Sequence, residues 1–251
     1  NPGVNRGYQK GTLKADGTLA RCTAACGPHI YRGEAYPAEF RGNAFICEPS
    51  GNLVTRRILT EEKGVISARH AYDKAEFLAS TDERFRPVNL TTGPDGCLYV
   101  VDLYRGILQH RIFVTSFLRK QILERGLDKP LGLGRIFRLV HESNPKPKTT
   151  GLAGKHPAEL VPFLEHANGW VRDTAQRLLA EKFDPVAAAA LKTLSLNTKA
   201  GSIPRLHALF ALEGLGKIDP QALLTLESDP DPRIRLGALG VKEGGGLLDI
   251  L

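Results

Sequence analysis

The chain has 251 residues, 42% of them hydrophobic and 24% charged, with a net charge of +7. That composition supports packed cores in one or two domains and excludes wholesale disorder. No run of 18 or more apolar residues occurs, so no transmembrane segment is expected, and no signal peptide opens the chain. The charge is uneven: residues 1–141 hold 21 Lys/Arg against 14 Asp/Glu, and residues 142–251 hold 13 of each. Basic charge attracts nucleic acid, anionic lipid or anionic cofactors. The arginines are scattered through strand-like segments without a Lys/Arg run of five, so nucleic acid is not an expected partner.

The chain contains no Met and opens on Asn1-Pro2-Gly3, which is loop material. It stops as an apolar stretch begins near Leu247, and both ends are expected to be cuts through a longer protein. Cys22 and Cys26, three residues apart in the intervening sequence, are not a haem attachment site. That site needs two intervening residues and a His directly after the second Cys. Cys47 and Cys97 stand alone, without the paired spacing of a zinc site. Buried thiols are one reading of the four cysteines, and a single disulfide in an oxidising compartment is the other.

Strong turn signals at Asp16-Gly17, Ser50-Gly51-Asn52 and Pro94-Asp95-Gly96 separate β-rich runs. These runs are 43–48, 53–59, 65–70, 97–103 and 135–140. Short strands joined by Gly/Asp turns suggest a sandwich, barrel or propeller. Two segments share one pattern of glycine, aromatic, aliphatics and acid. They are Gly42-Asn43-Ala44-Phe45-Ile46-Cys47-Glu48 and Gly96-Cys97-Leu98-Tyr99-Val100-Val101-Asp102, offset by 54 residues. A second strand is expected after each, at 53–59 and 107–113. The period fits one propeller blade per repeat, so residues 1–141 make about two to three blades of the four to eight that close a propeller. A helix near 115–126, capped by Thr115 or Ser116 and ended by Gly126, is expected as an insertion between two strands of the last blade.

From 142 to 154 the periodicity stops. Ser143-Asn144-Pro145-Lys146-Pro147 and the residues after it read as a linker. Beyond it the period becomes helical, with helices expected at 157–166, 170–183, 185–194, 204–215, 220–227 and 232 to about 241. Asp184-Pro185, Asp219-Pro220 and Asp231-Pro232 pair an Asp cap with Pro in the first turn. Ala175, Ala208 and Ala238 recur at spacings of 33 and 30 residues, with an Arg three positions before each. Residues 155–251 therefore read as an α-helical, HEAT-like solenoid of about three helix pairs.

The segment Phe85-Arg86-Pro87-Val88-Asn89-Leu90-Thr91-Thr92-Gly93-Pro94-Asp95-Gly96 and the strand after it resemble glucose/sorbosone dehydrogenase-type quinoprotein propellers. More closely, they resemble the PVC-type membrane-bound dehydrogenase family. Residues 24–33, 40–45 and 118–127 add to the resemblance, which covers about residues 1–141. Over 155–251 only the generic repeat pattern supports it. The resemblance implies a six-bladed propeller of which this is the last part, placed in the periplasm or at the cell surface. It also implies dependence on pyrroloquinoline quinone (PQQ) and calcium, sugar or alcohol oxidation, and electron transfer to a cytochrome c domain outside this chain. No Cys-x-x-Cys-His is present, so no haem site is expected within the chain.

Arg32, Arg86 and Arg105 are candidates for binding the carboxylates of an anionic quinone through charge-assisted, bidentate bonds. Pairing with local acids such as Glu34, Asp95 or Asp102 is the structural alternative. Asp102, at the end of a hydrophobic strand, is a candidate ion ligand, and Asp95 reads as a turn residue. His29 and His110 are the candidate bases. The second functional class is a non-catalytic propeller/HEAT scaffold that binds a protein or a polysaccharide, with the helical repeats as its docking surface.

Overall fold

The computed structural model describes residues 20–248, together with 11, 14 and 15. The turn expected at Asp16-Gly17 lies outside the described residues. The chain divides into two compact units, Asn1–Pro147 and Lys148–Leu251, and each is described by itself.

The first unit is built of two antiparallel sheets, neither of which closes on itself. In the first sheet, β1 (Cys26–Ile30), β2 (Ala44–Glu48), β3 (Leu53–Glu62) and β4 (Val65–His70) lie side by side in chain order, and the short β5 (Leu78–Ala79) adds to β3. The second sheet orders β6 (Pro87–Thr92), β7 (Leu98–Asp102) and β8 (Arg135–Leu139) in the same way. β2 and β7, offset by 54 residues, are each the second strand of their sheet. The strand after β7 differs from expectation: residues 107–113 form a loop and a 3-10 turn (Arg111–Phe113), not a strand. Ile107 and Val114 pack instead against α1 (Ser116–Glu124), whose Leu118 and Ile122 make a small core with Leu127. The third strand is therefore β8, displaced by the helical insertion. Thr115 caps α1 by accepting the Leu118 amide at 3.2 Å.

An aromatic core joins the two sheets. Tyr31, Tyr36, Phe40 and Phe45 are buried with Cys47, Leu90, Cys97 and Leu98. The Tyr31 and Tyr36 rings stack at 4.7 Å. Buried hydroxyls need partners, and Tyr31 donates to the Gly96 carbonyl at 2.7 Å while Tyr36 donates to that of Leu139 at 2.9 Å. Burial pushes the Tyr31 phenol up to about 12. Gly27 sits at a register irregularity in β1 with φ +52°, and a Cβ there would meet the Val88 carbonyl oxygen at 2.6 Å. Only glycine lets β1 lie this close to β6.

The second unit is helical: α2 (Pro157–Leu160) runs into a 3-10 turn (Val161–Glu165), followed by α3 (Gly169–Glu181), α4 (Pro185–Leu196), α5 (Ser202–Gly214), α6 (Pro220–Glu227) and α7 (Pro232–Leu248). Asp184 accepts the Ala187 amide at 2.7 Å, Asp219 that of Gln221 at 2.8 Å and Asp231 that of Arg233 at 2.9 Å. Each satisfies a donor that a helix N-terminus leaves open. α5 packs between α3 and α7, and α4 packs on α5. Ala175, Ala208 and Ala238 are all fully buried, at the positions where helices approach closely. A Cβ on Gly214 would lie 2.8 Å from that of Ala180. The three arginines that precede these alanines all reach back to carbonyls. Arg172 donates to His166 at 2.6 Å, Arg205 to Ser195 at 2.9 Å and Arg235 to Asp229 at 2.8 Å.

Candidate functional site

Where the chain leaves β7, it opens a cleft of about 740 Å³ in the first unit. Ile107, Val114, Ile122, Leu123, Leu127 and Leu131 give it an apolar lining, and Arg105, His110, Arg119, Gln109 and Asp128 supply the polar groups. Two residues singled out in the sequence, Arg105 and His110, meet here, and both are exposed. His110 Nδ1 accepts the Ile112 amide at 3.4 Å, and its ring lies edge-on to Phe113 at 6.5 Å. An apolar cavity with a few convergent polar groups is the ordinary form of a small-molecule site. Here the cations favour an anionic ligand with an apolar body.

The walls of the cleft are held by the segment before β6. Arg86 is buried and spends its guanidinium on three carbonyls: Arg105 at 3.1 Å, Pro49 at 2.6 Å and Gly106 at 3.0 Å. It therefore fixes the loop that carries Arg105 and does not itself face the cleft as a cofactor ligand. Burial lowers its pKa. Its pairing also differs from the acid contacts weighed as the alternative, because carbonyls, not carboxylates, take the side-chain donors. Arg84, not singled out from the sequence, clamps the opposite wall through the carbonyls of Gly126 at 2.7 Å and Lys129 at 3.0 Å. Glu83 adds an ion pair to Arg125 at 2.5 Å. The charged residues clustered around Phe85 at 82–86 were the available signal for Arg84, and Phe85 and Arg86 are both buried.

Asp102 is buried beneath this loop. Its Oδ1 accepts the amides of Arg86 at 2.7 Å and Tyr104 at 2.8 Å, and its Oδ2 accepts Arg135 Nε at 3.1 Å. Tyr104 takes φ +43°, and Arg135 stacks over its ring at 3.7 Å. Oδ1 thus holds the backbone on either side of the β6–β7 pair, and Oδ2 ties Asp102 to β8. Among the described residues no group of three or more His, Cys, Asp or Glu side chains is arranged to hold a metal ion. Asp95 behaves as the turn residue expected. Burial raises its pKa, but the Cys97 amide, the Arg138 guanidinium and the Tyr99 hydroxyl outweigh this and hold it below the usual carboxylate range.

His29 and Arg32 lie elsewhere. His29 sits on β1, with Nε2 2.7 Å from the Thr92 hydroxyl, and burial together with the Arg32 charge lowers its pKa. Thr92 ends β6 at the turn, whereas Arg86 and Asp102 lie at the other end of the β6–β7 pair. Five strand steps of roughly 3.4 Å put about 17 Å between the two ends. Arg32 is exposed in the loop that follows β1. The sequence candidates therefore divide into a cleft group and a group at the opposite end of the sheet.

The family described as "Domain of unknown function (DUF7133)" matches residues 3–143. The chain belongs to this family. The DUF7133 region contains both sheets, the α1 insertion and every residue of the cleft. Compared with curated proteins and with solved structures, the chain matches none.

Proposed function

We propose that the chain is part of a secreted quinoprotein-type dehydrogenase that oxidises a sugar or alcohol and passes electrons to a cytochrome c domain outside this chain. In this reading the two sheets are successive blades of a β-propeller, and the helical unit is a HEAT-like solenoid. The single observation that carries it is the cleft, where Arg105, His110 and Arg119 converge over an apolar floor at the end of a blade-like sheet. Loops at one end of a propeller are where its ligands gather. The repeated strand order β1-β2-β3 and β6-β7-β8 supports the blade reading.

Arg105 and Arg119 fit the carboxylates of PQQ through charge-assisted bonds. PQQ, when bound, supplies the two-electron acceptor. The chain's own residues bind and orient it: Arg86 and Arg84 hold the two walls at fixed separation, and Asp102 fixes the loop between β7 and Arg105. His110, the candidate base singled out in the sequence, lines the cleft beside Arg105 and Arg119.

Titration of the protein with PQQ, with and without calcium, followed by a dye-linked assay on sugars and alcohols, tests this reading. Binding is expected to weaken about tenfold in Arg105→Ala, the loss of one charge-assisted bond. Absence of cofactor binding together with absence of turnover on any sugar or alcohol sinks the proposal. One observation favours the second reading, a non-catalytic scaffold. Val186, Ile203, Leu224 and Leu236 of the helical unit are each more than half exposed, and such apolar residues suit a protein partner.

A further inference from the structure

We infer that Cys26 and Cys47 form the protein's one disulfide, a cross-strand bond that ties β1 to β2. The two residues are direct partners in the antiparallel register of these strands. Direct partners have Cα atoms about 4.5–5.5 Å apart, within the range of about 4.4–6.8 Å that disulfides span. Their side chains share a face, because Cys26 packs against the aromatic core in which Cys47 is fully buried. The register irregularity that follows Cys26 is held by Gly27 against β6, so the position of Cys26 is set by packing on both sides.

The other pairings are poorer. Cys22 is exposed, and its charged neighbours are Glu48, Glu76 and Arg57. Cys97 is buried beside Asp95 and Arg138. The group that acts on the Cys47 thiol, besides burial, is Cys26. Burial pushes Cys47 up to about 12 and raises Cys26 as well. Neither is a thiolate at neutral pH, so a nucleophilic or metal-ligand role suits them less than a structural bond. All four thiols are free in the structure.

A small-molecule disulfide such as oxidised glutathione serves as oxidant. Cys26, half-buried and so the more accessible of the two, loses its proton to water, and its thiolate attacks one glutathione sulfur. One glutathione leaves as a thiolate and takes up a proton. The Cys47 sulfur, once deprotonated, displaces the second glutathione. Two S–H bonds are replaced by one S–S bond in the protein, and the oxidant's S–S bond is replaced by two S–H bonds. The product closes residues 26–47 into a loop that contains Tyr31, Tyr36 and Phe40.

The test equilibrates the whole chain with oxidised glutathione at pH 8.5, blocks remaining thiols and maps peptides without reduction. The expected result is a Cys26–Cys47 linkage, two of the four thiols left, and a melting temperature that falls when reductant is added. Cys22→Ser is expected to keep both the linkage and the reductant-sensitive melt, while Cys26→Ser abolishes them. Four titratable thiols after equilibration, or a linkage mapped to Cys22 or Cys97, overturns the inference. The peptide map of the wild-type chain decides the matter even where a variant does not fold.

Discussion

Arg86 and Arg105 carry the same group on the same loop system, yet they do opposite things. Arg86 is buried with its donors on three carbonyls, whereas the Arg105 backbone is held and its side chain is left at the cleft. Removing a buried donor leaves its acceptors unpaired, which costs far more than removing a solvated one. Arg86→Ala is therefore expected to lower the stability of the first unit by about 3 kcal/mol. Arg105→Ala should cost under about 0.5 kcal/mol while weakening binding in the cleft. Urea unfolding followed by far-UV circular dichroism separates them. Equal loss in the two variants would mean that the guanidinium of Arg86 is not the clamp described. The sequence exposed both arginines as candidates but not this division of labour. Burial depends on which carbonyls a loop turns inward, and no local pattern encodes that.

At the scale of elements, the parts with strong local punctuation were legible and the rest were not. Ser50-Gly51-Asn52 and Pro94-Asp95-Gly96 mark their hairpins, and the Asp-Pro pairs mark the starts of α4, α6 and α7. β1 and β6 escaped because Gly27, Pro28 and Pro87 break the two-residue period that identifies a strand. Residues 107–113 were misread because their apolar residues satisfy α1 and not a neighbouring strand. The repeated Arg-x-x-Ala was legible as a pattern, and its meaning came from packing. In α5 that arginine also meets Asp229, a buried pair in which both partners are about 5% exposed or less at the side chain. Asp229 Oδ1 accepts the Asp231 amide at 2.9 Å as well, so the pair joins the end of α4, α5 and the turn before α7. The Arg205 hydrogen bond holds the Asp229 pKa below its usual value. A depressed carboxylate contributes stability above its unfolded pKa and loses it as pH falls through the folded one. Arg205→Ala should thus lower the stability of the helical unit by about 3 kcal/mol at pH 7. The gap from wild type should narrow as pH drops below about 4. Helical melts at pH 7 and pH 3 check both limbs, and a gap independent of pH would deny the pair its ionic character.

At the scale of the whole molecule, the two units differ in charge and in the kind of secondary structure they form. All of the net charge falls in residues 1–141, the region that holds the cleft and its cations, so the proposed anion binding belongs to the β unit. The helical unit is neutral and keeps its own cores, one around Leu164, Leu179 and Leu191 and a second around Leu226 and Ile234. Between the units, residues 142–149 are mostly exposed and lie in no helix or strand. Exposed backbone outside regular structure is where proteases cut first. Trypsin acts at Lys and Arg but not before Pro, which removes Lys146-Pro147 and leaves Lys148-Thr149 as the open site. Brief digestion of the whole chain should therefore give a first product that ends at Lys148 and a helical product that starts at Thr149. Mass spectrometry reads the cut, and circular dichroism of the second product should keep a cooperative helical melt. A first cut inside α3 to α6, or a helical product that does not melt cooperatively, would mean that the helical unit does not hold its fold on its own cores.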